Sequence, residues 1–217
     1  MLSDKQNIDL KKFGIIKIEN FLSITEVEDL HSTLKKYAVG KGDKKSYFSN
    51  NFSNIMKKLI KFDFARFRDE IKILNFSKKL NLKNMADSYF EDKTYLKMVD
   101  GYYNPISDKP ILPWHHDCWR DSSVHPDDYS LKFFIYLTEV GKNNGCMSYI
   151  KKSHLICDAI RRGIYERKLE FGPFRVINDF RNYILNEKNF TTIKSLMEDP
   201  KIIDEFLDST ENINDNL

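Results

Sequence analysis

Residues 131–150, LKFFIYLTEVGKNNGCMSYI, constrain the fold more than any other stretch of the chain. Leu131, Phe133, Ile135 and Leu137 alternate with Lys132, Phe134, Tyr136 and Thr138, which is the period-two pattern of a strand with one face toward a core. KNNG, Lys142 to Gly145, is a tight-turn signal, because Asn and Gly accept the positive φ that a short hairpin loop requires. CMSYI then returns as the partner strand. A lone hairpin is barely stable in water, so further strands or helices must cover its apolar face.

Candidates lie on both sides. TYLKMVDGYYN, residues 94–104, is rich in strand formers and ends at the Asn104–Pro105 break. ILPWHHDCW is another extended segment, with Pro113 tolerable only at a strand start or edge. Before residue 94 the pattern is mostly helical. FGIIKIENF, Phe13 to Phe21, reads as a short strand, and Ser23 and Glu26 then have the spacing of a capping box. Ile24, Val27, Leu30, Leu34 and Tyr37 follow as one apolar stripe, with His31 at its boundary. GKGDKKSYFSNN reads as a loop from its Gly, Asp, Ser and Asn content. Phe64, Phe67, Ile71 and Leu74, and then Leu82, Met85, Ala86 and Tyr89, repeat at helical spacing as core faces.

After His154 the helical pattern resumes in LICDAIRRGIYERKLE. EDPKIIDEFL offers Asp199 as N-cap with Pro200 at the first helical position. The polar end, STENINDNL, is expected to fray. Helices, then antiparallel strands, then helices predict an α+β fold with a β-sandwich or barrel at its centre. With no repeat or linker visible, residues 1–217 form one expected domain. It comprises a strand and mostly helical part (1–93), jelly-roll strands (94–154) and a mostly helical segment (155–217).

Charge narrows the function classes. The 35 basic and 32 acidic residues nearly cancel and are interspersed, so no basic face for nucleic acid is expected. Cys118, Cys146 and Cys157 lack CxxC spacing and cannot all pair, which points to a reducing compartment. MLSDKQNIDLKKFG lacks a signal-peptide core and no run has membrane-spanning length, so the expectation is a cytoplasmic protein with no membrane partner.

The chemistry concentrates in PWHHDCWR, Pro113 to Arg120. On an extended strand, residues i and i+2 share a face, so His115 and Asp117 converge while His116 points away. An imidazole and a carboxylate at this spacing are two legs of a 2-His-1-carboxylate triad, the ligand set of non-haem Fe(II) oxygenases. A surface His–Asp pair at a strand end has the same spacing.

PWHHDCW, the following strand, the Asn144–Gly145 turn and the strand ending in Ser153–His154 together resemble the phytanoyl-CoA dioxygenase family of Fe(II)- and 2-oxoglutarate-dependent oxygenases. LKKFGIIKIENFLSITEVEDLHSTL is similar to the family's N-terminal strand and capped helix, so the resemblance spans residues 10–155. It implies a double-stranded β-helix, a jelly-roll of the cupin type, with flanking N-terminal helices. It implies His115 and Asp117 as metal ligands, and Fe(II) and 2-oxoglutarate as cofactor and cosubstrate. Asn104 lies where related enzymes contact 2-oxoglutarate, and Trp119 and Arg120 are placed to line the mouth for a small-molecule substrate, organic or lipid-like. Asn144, Gly145, Ser153 and His154 match structural turns. The glycine of the family's G-S-H motif is Lys152 here, so a turn without glycine's left-handed freedom is expected.

A larger departure concerns the third ligand. The family's second metal histidine and its 2-oxoglutarate arginine lie downstream of G-S-H, yet His154 is the last histidine, and 217 − 154 = 63 residues follow it. Arg181, the last arginine, has no matching strand motif. Three explanations stay open: an incomplete barrel in a fragment, a non-catalytic binding module on the same scaffold, or a substitute donor from His154, His125 or a re-aimed His116. Zinc held by His115, Asp117 and His154 is a further alternative. An incomplete barrel would expose strand edges, which pairing between chains in a homo-oligomer would cover.

Overall fold

The computed structural model describes residues 2–38, 46–50, 64–97, 99–103, 114–115, 129–141, 146–172 and 176–213. The chain divides into two compact units. One comprises Met1–Asn7, Lys17–Asp108 and Leu131–Cys146, the other Ile8–Ile16, Lys109–Ser130 and Met147–Leu217.

In the first unit, helix α2 (Ile24–Ala38) begins at the expected capping box. The Ser23 amide donates to the Glu26 carboxylate at 2.9 Å and the Glu26 amide to Ser23 Oγ at 3.3 Å. Lys79 pairs with Glu26 at 2.8 Å, and these contacts, the lysine's first, pull the carboxyl down to about 2. The apolar stripe is narrower than the spacing predicts. Leu30 and Thr33 are buried, but Ile24, in the first turn, is 78% exposed. Helices α3 (Phe64–Lys79) and α4 (Leu82–Phe90) follow, and Lys72 of α3 reaches Asp29 of α2 at 2.6 Å. The buried positions of α3 and α4 whose side chains are described centre on Ile73, Met85 and Ala86. Asp87 ties off α4 by accepting from the Thr94 amide at 2.7 Å and hydroxyl at 2.6 Å.

Strands β1 (Ser46–Asn50) and β2 (Val99–Tyr103) pair antiparallel, Ser46 opposite Tyr103 and Asn50 opposite Val99, and α2 packs against both. Strand β2 lies where strand formers cluster. Its partner β1 falls inside the stretch expected to be a loop: Tyr47 and Phe48 suffice to make a strand once β2 supplies hydrogen bonds. Residues 131–141 and 146–150 have no ladder among the described residues, although the Cys146 amide reaches the Gly141 carbonyl at 3.4 Å. The alternation survives only in part: Leu131, Ile135 and Leu137 are half-buried and Phe134 and Tyr136 exposed, but Phe133, expected on the buried face, is exposed too. Asn144 and Gly145 lie outside the described residues.

The expected strand at Phe13–Phe21 is not formed. Instead α1 (Asp4–Phe13) runs up to Gly14, whose φ of +76° ends it. Its start has a capping box of its own, with Ser3 and Gln6 exchanging bonds at 2.9 and 3.2 Å.

The second unit has four helices among the described residues: α5 (Ser153–Tyr165), α6 (Ile177–Leu185), α7 (Glu187–Leu196) and α8 (Lys201–Thr210). Ile156, Ala159 and Ile160 of α5, Ile177, Phe180 and Ile184 of α6, Ile193 of α7, and Ile202, Ile203 and Phe206 of α8 form one core. Each buried isoleucine or phenylalanine contributes about 1.5–3 kcal/mol. Gly163 lets α5 approach Leu169 and Leu196, since a β-carbon there would come within 2.6 Å of the Leu169 side chain. The helix ends are closed by side chains. Asn186 caps α7 by accepting from the Asn189 amide at 3.2 Å, and Asp199 accepts from the Lys201 amide at 3.2 Å at the predicted start of α8. Arg162 donates to the Leu196 carbonyl at 2.6 Å, and Arg181 donates to the Leu207 carbonyl and Thr210 hydroxyl. Cations at helix C-termini satisfy orphan carbonyls and oppose the dipole.

Candidate functional site

The predicted metal strand meets the second unit at Trp114 and His115. His115 forms an antiparallel bridge with Val176, and the Trp114 carbonyl accepts from the Ile177 amide at 3.2 Å. Val176 is extended (φ −100°, ψ 161°) and directly precedes α6, so the chain pairs with the metal segment just before it coils. Trp114 lies in a bend and His115 in an isolated bridge, and the two side chains differ in exposure: Trp114 is half-buried against the helical core, whereas His115 is exposed. Asp117, His116, Trp119, Arg120, His125 and Asn104 lie outside the described residues. No cluster of three or more His, Cys, Asp or Glu side chains able to hold a metal occurs among the described residues.

Ser153 and His154 open helix α5, and His154 turns toward the end of α1. Its Nε2 is 3.0 Å from the Lys11 carbonyl, an acceptor only, so this nitrogen carries the proton. Nδ1 is buried without a hydrogen-bond partner. Burial pulls the imidazole below its ordinary pKa, against the opposing influence of the Lys11 carbonyl and Asp158. A β-carbon on Gly14 would collide with this ring and with the Tyr149 hydroxyl. Neither ring nitrogen is open to a metal as placed, and this weighs against the zinc set of His115, Asp117 and His154, and against His154 as the substitute donor.

Lys152, in the glycine position of the turn, is left-handed after all (φ 66°, ψ −2°). The expectation of a different turn is corrected: the turn is kept and the strain is borne by lysine. Its amide donates to the Phe13 carbonyl at 3.0 Å and its ammonium pairs with Glu205 at 2.7 Å, which offsets a cost of about 1 kcal/mol. Arg181, the last arginine, is committed to the end of α8.

Sequence reasoning missed one polar cluster. Arg161, 3% exposed, donates to Asp158 and lies with its guanidinium carbon 3.7 Å from the Tyr129 ring centroid. The Tyr129 hydroxyl donates to the same Asp158 oxygen at 2.9 Å, and burial, then this bond, push the phenol pKa up. The readable signal was Asp158 three and four residues before Arg161 and Arg162 on one helix. Tyr129, far off in sequence, gave none.

The sequence model of the phytanoyl-CoA dioxygenase (PhyH) family matches residues 10–201. The chain belongs to the phytanoyl-CoA dioxygenase family. The match continues past the recognisable motifs through α5, α6 and α7, so these helices lie within the family region. Membership supports an oxidoreductase of the dioxygenase kind, and the family is generally dependent on Fe(II) and 2-oxoglutarate. No curated protein and no solved structure matches the chain. No described helix is long and apolar enough to cross a membrane.

Proposed function

We propose that this chain is an Fe(II)/2-oxoglutarate-dependent oxygenase on a double-stranded β-helix scaffold, acting on a small organic or lipid-like substrate with His115 and Asp117 as metal ligands. The observation that carries the reading is the pinned segment: Trp114 is half-buried and His115 exposed, within the family-matched region. The donor types suit Fe(II), an imidazole and a carboxylate, but they fill two of its three customary protein positions. Among the described residues no third donor joins them.

When bound, iron with 2-oxoglutarate and dioxygen supplies the oxidising power to hydroxylate an unactivated C–H bond. The protein's share is positional. His115 would offer an imidazole from a backbone held by Val176, Asp117 would add a carboxylate, and Trp119, Arg120 and Asn104 would serve the substrate mouth and cosubstrate. A metal-binding comparison tests the assignment. His115→Ala and Asp117→Ala are expected to abolish binding, while His116→Ala retains it; equal losses in all three would refute the facing of the strand.

A second reading, a non-catalytic binding module on the same scaffold, is favoured by one observation. Arg161, Arg162 and Arg181 have partners within the helical core unit. Metal binding without 2-oxoglutarate binding would support it.

A further inference from the structure

Trp114 has two attachments that metal chemistry does not require. Its side chain packs against the apolar core of α5–α8, and its carbonyl accepts from the first amide of α6 at 3.2 Å. The residue after it is His115, exposed and bridged to Val176. Because Trp114 directly precedes His115, burying its side chain and holding its carbonyl constrains the backbone from which the His115 imidazole projects. The chain is fastened to α5 at Tyr129 as well. Tyr129 sits between its hydrogen bond to Asp158 and the buried guanidinium of Arg161, a planar cation that gains from a carboxylate and an aromatic face together.

We propose that Trp114 is a positioning residue for His115, anchoring the metal-ligand segment on the C-terminal helices, with the Tyr129–Asp158–Arg161 clip fastening the chain to α5 at Tyr129. The role rests on the oxygenase reading. The helices after residue 152 then act as the platform on which the metal ligand is oriented rather than as an appendage to a barrel. A ligand whose backbone is fixed but whose strand can roll samples misdirected rotations, and partners that orient metal ligands are worth about 10–100-fold in metal affinity.

The test uses the full chain and Mn(II) alone, followed by electron paramagnetic resonance, which reports the free ion and the symmetry of the bound one. Trp114→Ser is expected to weaken binding roughly tenfold and broaden the bound spectrum, while Trp114→Phe, which keeps an aromatic anchor, restores both. Arg181→Gln, which loosens the same helical unit away from Trp114, is expected to leave them unchanged. Should Trp114→Ser fail to fold, Tyr129→Phe decides, with an expected weakening of roughly fivefold from one lost hydrogen bond. Wild-type binding with unaltered affinity and spectrum in the decisive variant would overturn the positioning role and leave the oxygenase reading standing. Equal weakening by Arg181→Gln would reduce the role to general stability and overturn it too. Absence of Mn(II) binding by the wild-type chain would overturn the oxygenase reading itself, and this role with it.

Discussion

The C-terminal helices and the strand-forming segments solve the same problem, burying apolar side chains, with information held at different distances. In α5–α8 the instruction is local. Ile156, Ala159 and Ile160 recur at helical spacing, and Asn186 and Asp199 mark starts within three residues of the amides they cap. Residues 131–137 also hold their pattern locally, and burial follows it at Leu131, Ile135 and Leu137 but not at Phe133. A strand, however, needs a partner whose identity no nearby residue states, and β1 and β2 lie on opposite sides of two helices in the chain. Helical order is thus settled turn by turn, while sheet order depends on closing long loops.

This contrast breaks or sharpens most sharply by truncating matched side chains. Ile160→Ala, in the fully buried helical core, is expected to cost about 4 kcal/mol, and Ile135→Ala, half-buried, less than about 1 kcal/mol, in urea denaturation. Equal costs would mean that 131–141 is as well packed as the helices. Next, Gly14→Ala should cost about 3 kcal/mol, from left-handed strain plus collision with His154 and Tyr149. The same contact is open to pH. The folded His154 pKa is depressed by burial, so the unfolded chain binds the proton more readily and acid favours unfolding. Stability from this residue is complete above its ordinary value near 6.5 and declines as pH falls through the depressed value. His154→Gln should flatten the loss of stability that sets in as pH falls below about 6.5.

Smaller effects probe the caps. Ser23→Ala should cost about 1 kcal/mol by opening the capping box of α2, read from the thermal midpoint. Lys152→Gly should stabilise by about 0.5 kcal/mol, as relief of the left-handed strain outweighs the exposed ion pair with Glu205. Destabilisation would mean that the Glu205 pair governs the turn.

What was legible follows the same division. The capping box at Ser23, the Asp199 start and the Met85–Ala86 face could be read because each residue's partner is within a turn or two. The Ser3–Gln6 box at the start of α1 is just as local, with its partners three residues apart. The left-handed turn at Lys152 defied the residue-type rule because the Phe13 carbonyl, supplied from the other end of the chain, holds it. At the site, H-x-D was legible as spacing, while the exposure of His115 beside a half-buried Trp114 was not. Nor was the anchoring of that segment: the Val176 bridge and the Tyr129–Asp158 bond join residues with no common local pattern, the latter 29 positions apart.

The most direct measurement is an anaerobic titration of the 217-residue protein with Fe(II) and then 2-oxoglutarate, watching for the visible charge-transfer band of the chelate. The oxygenase account predicts a saturable band that is lost in Asp117→Ala and kept in His116→Ala. A folded protein that never develops the band, or develops it equally without Asp117, would contradict it.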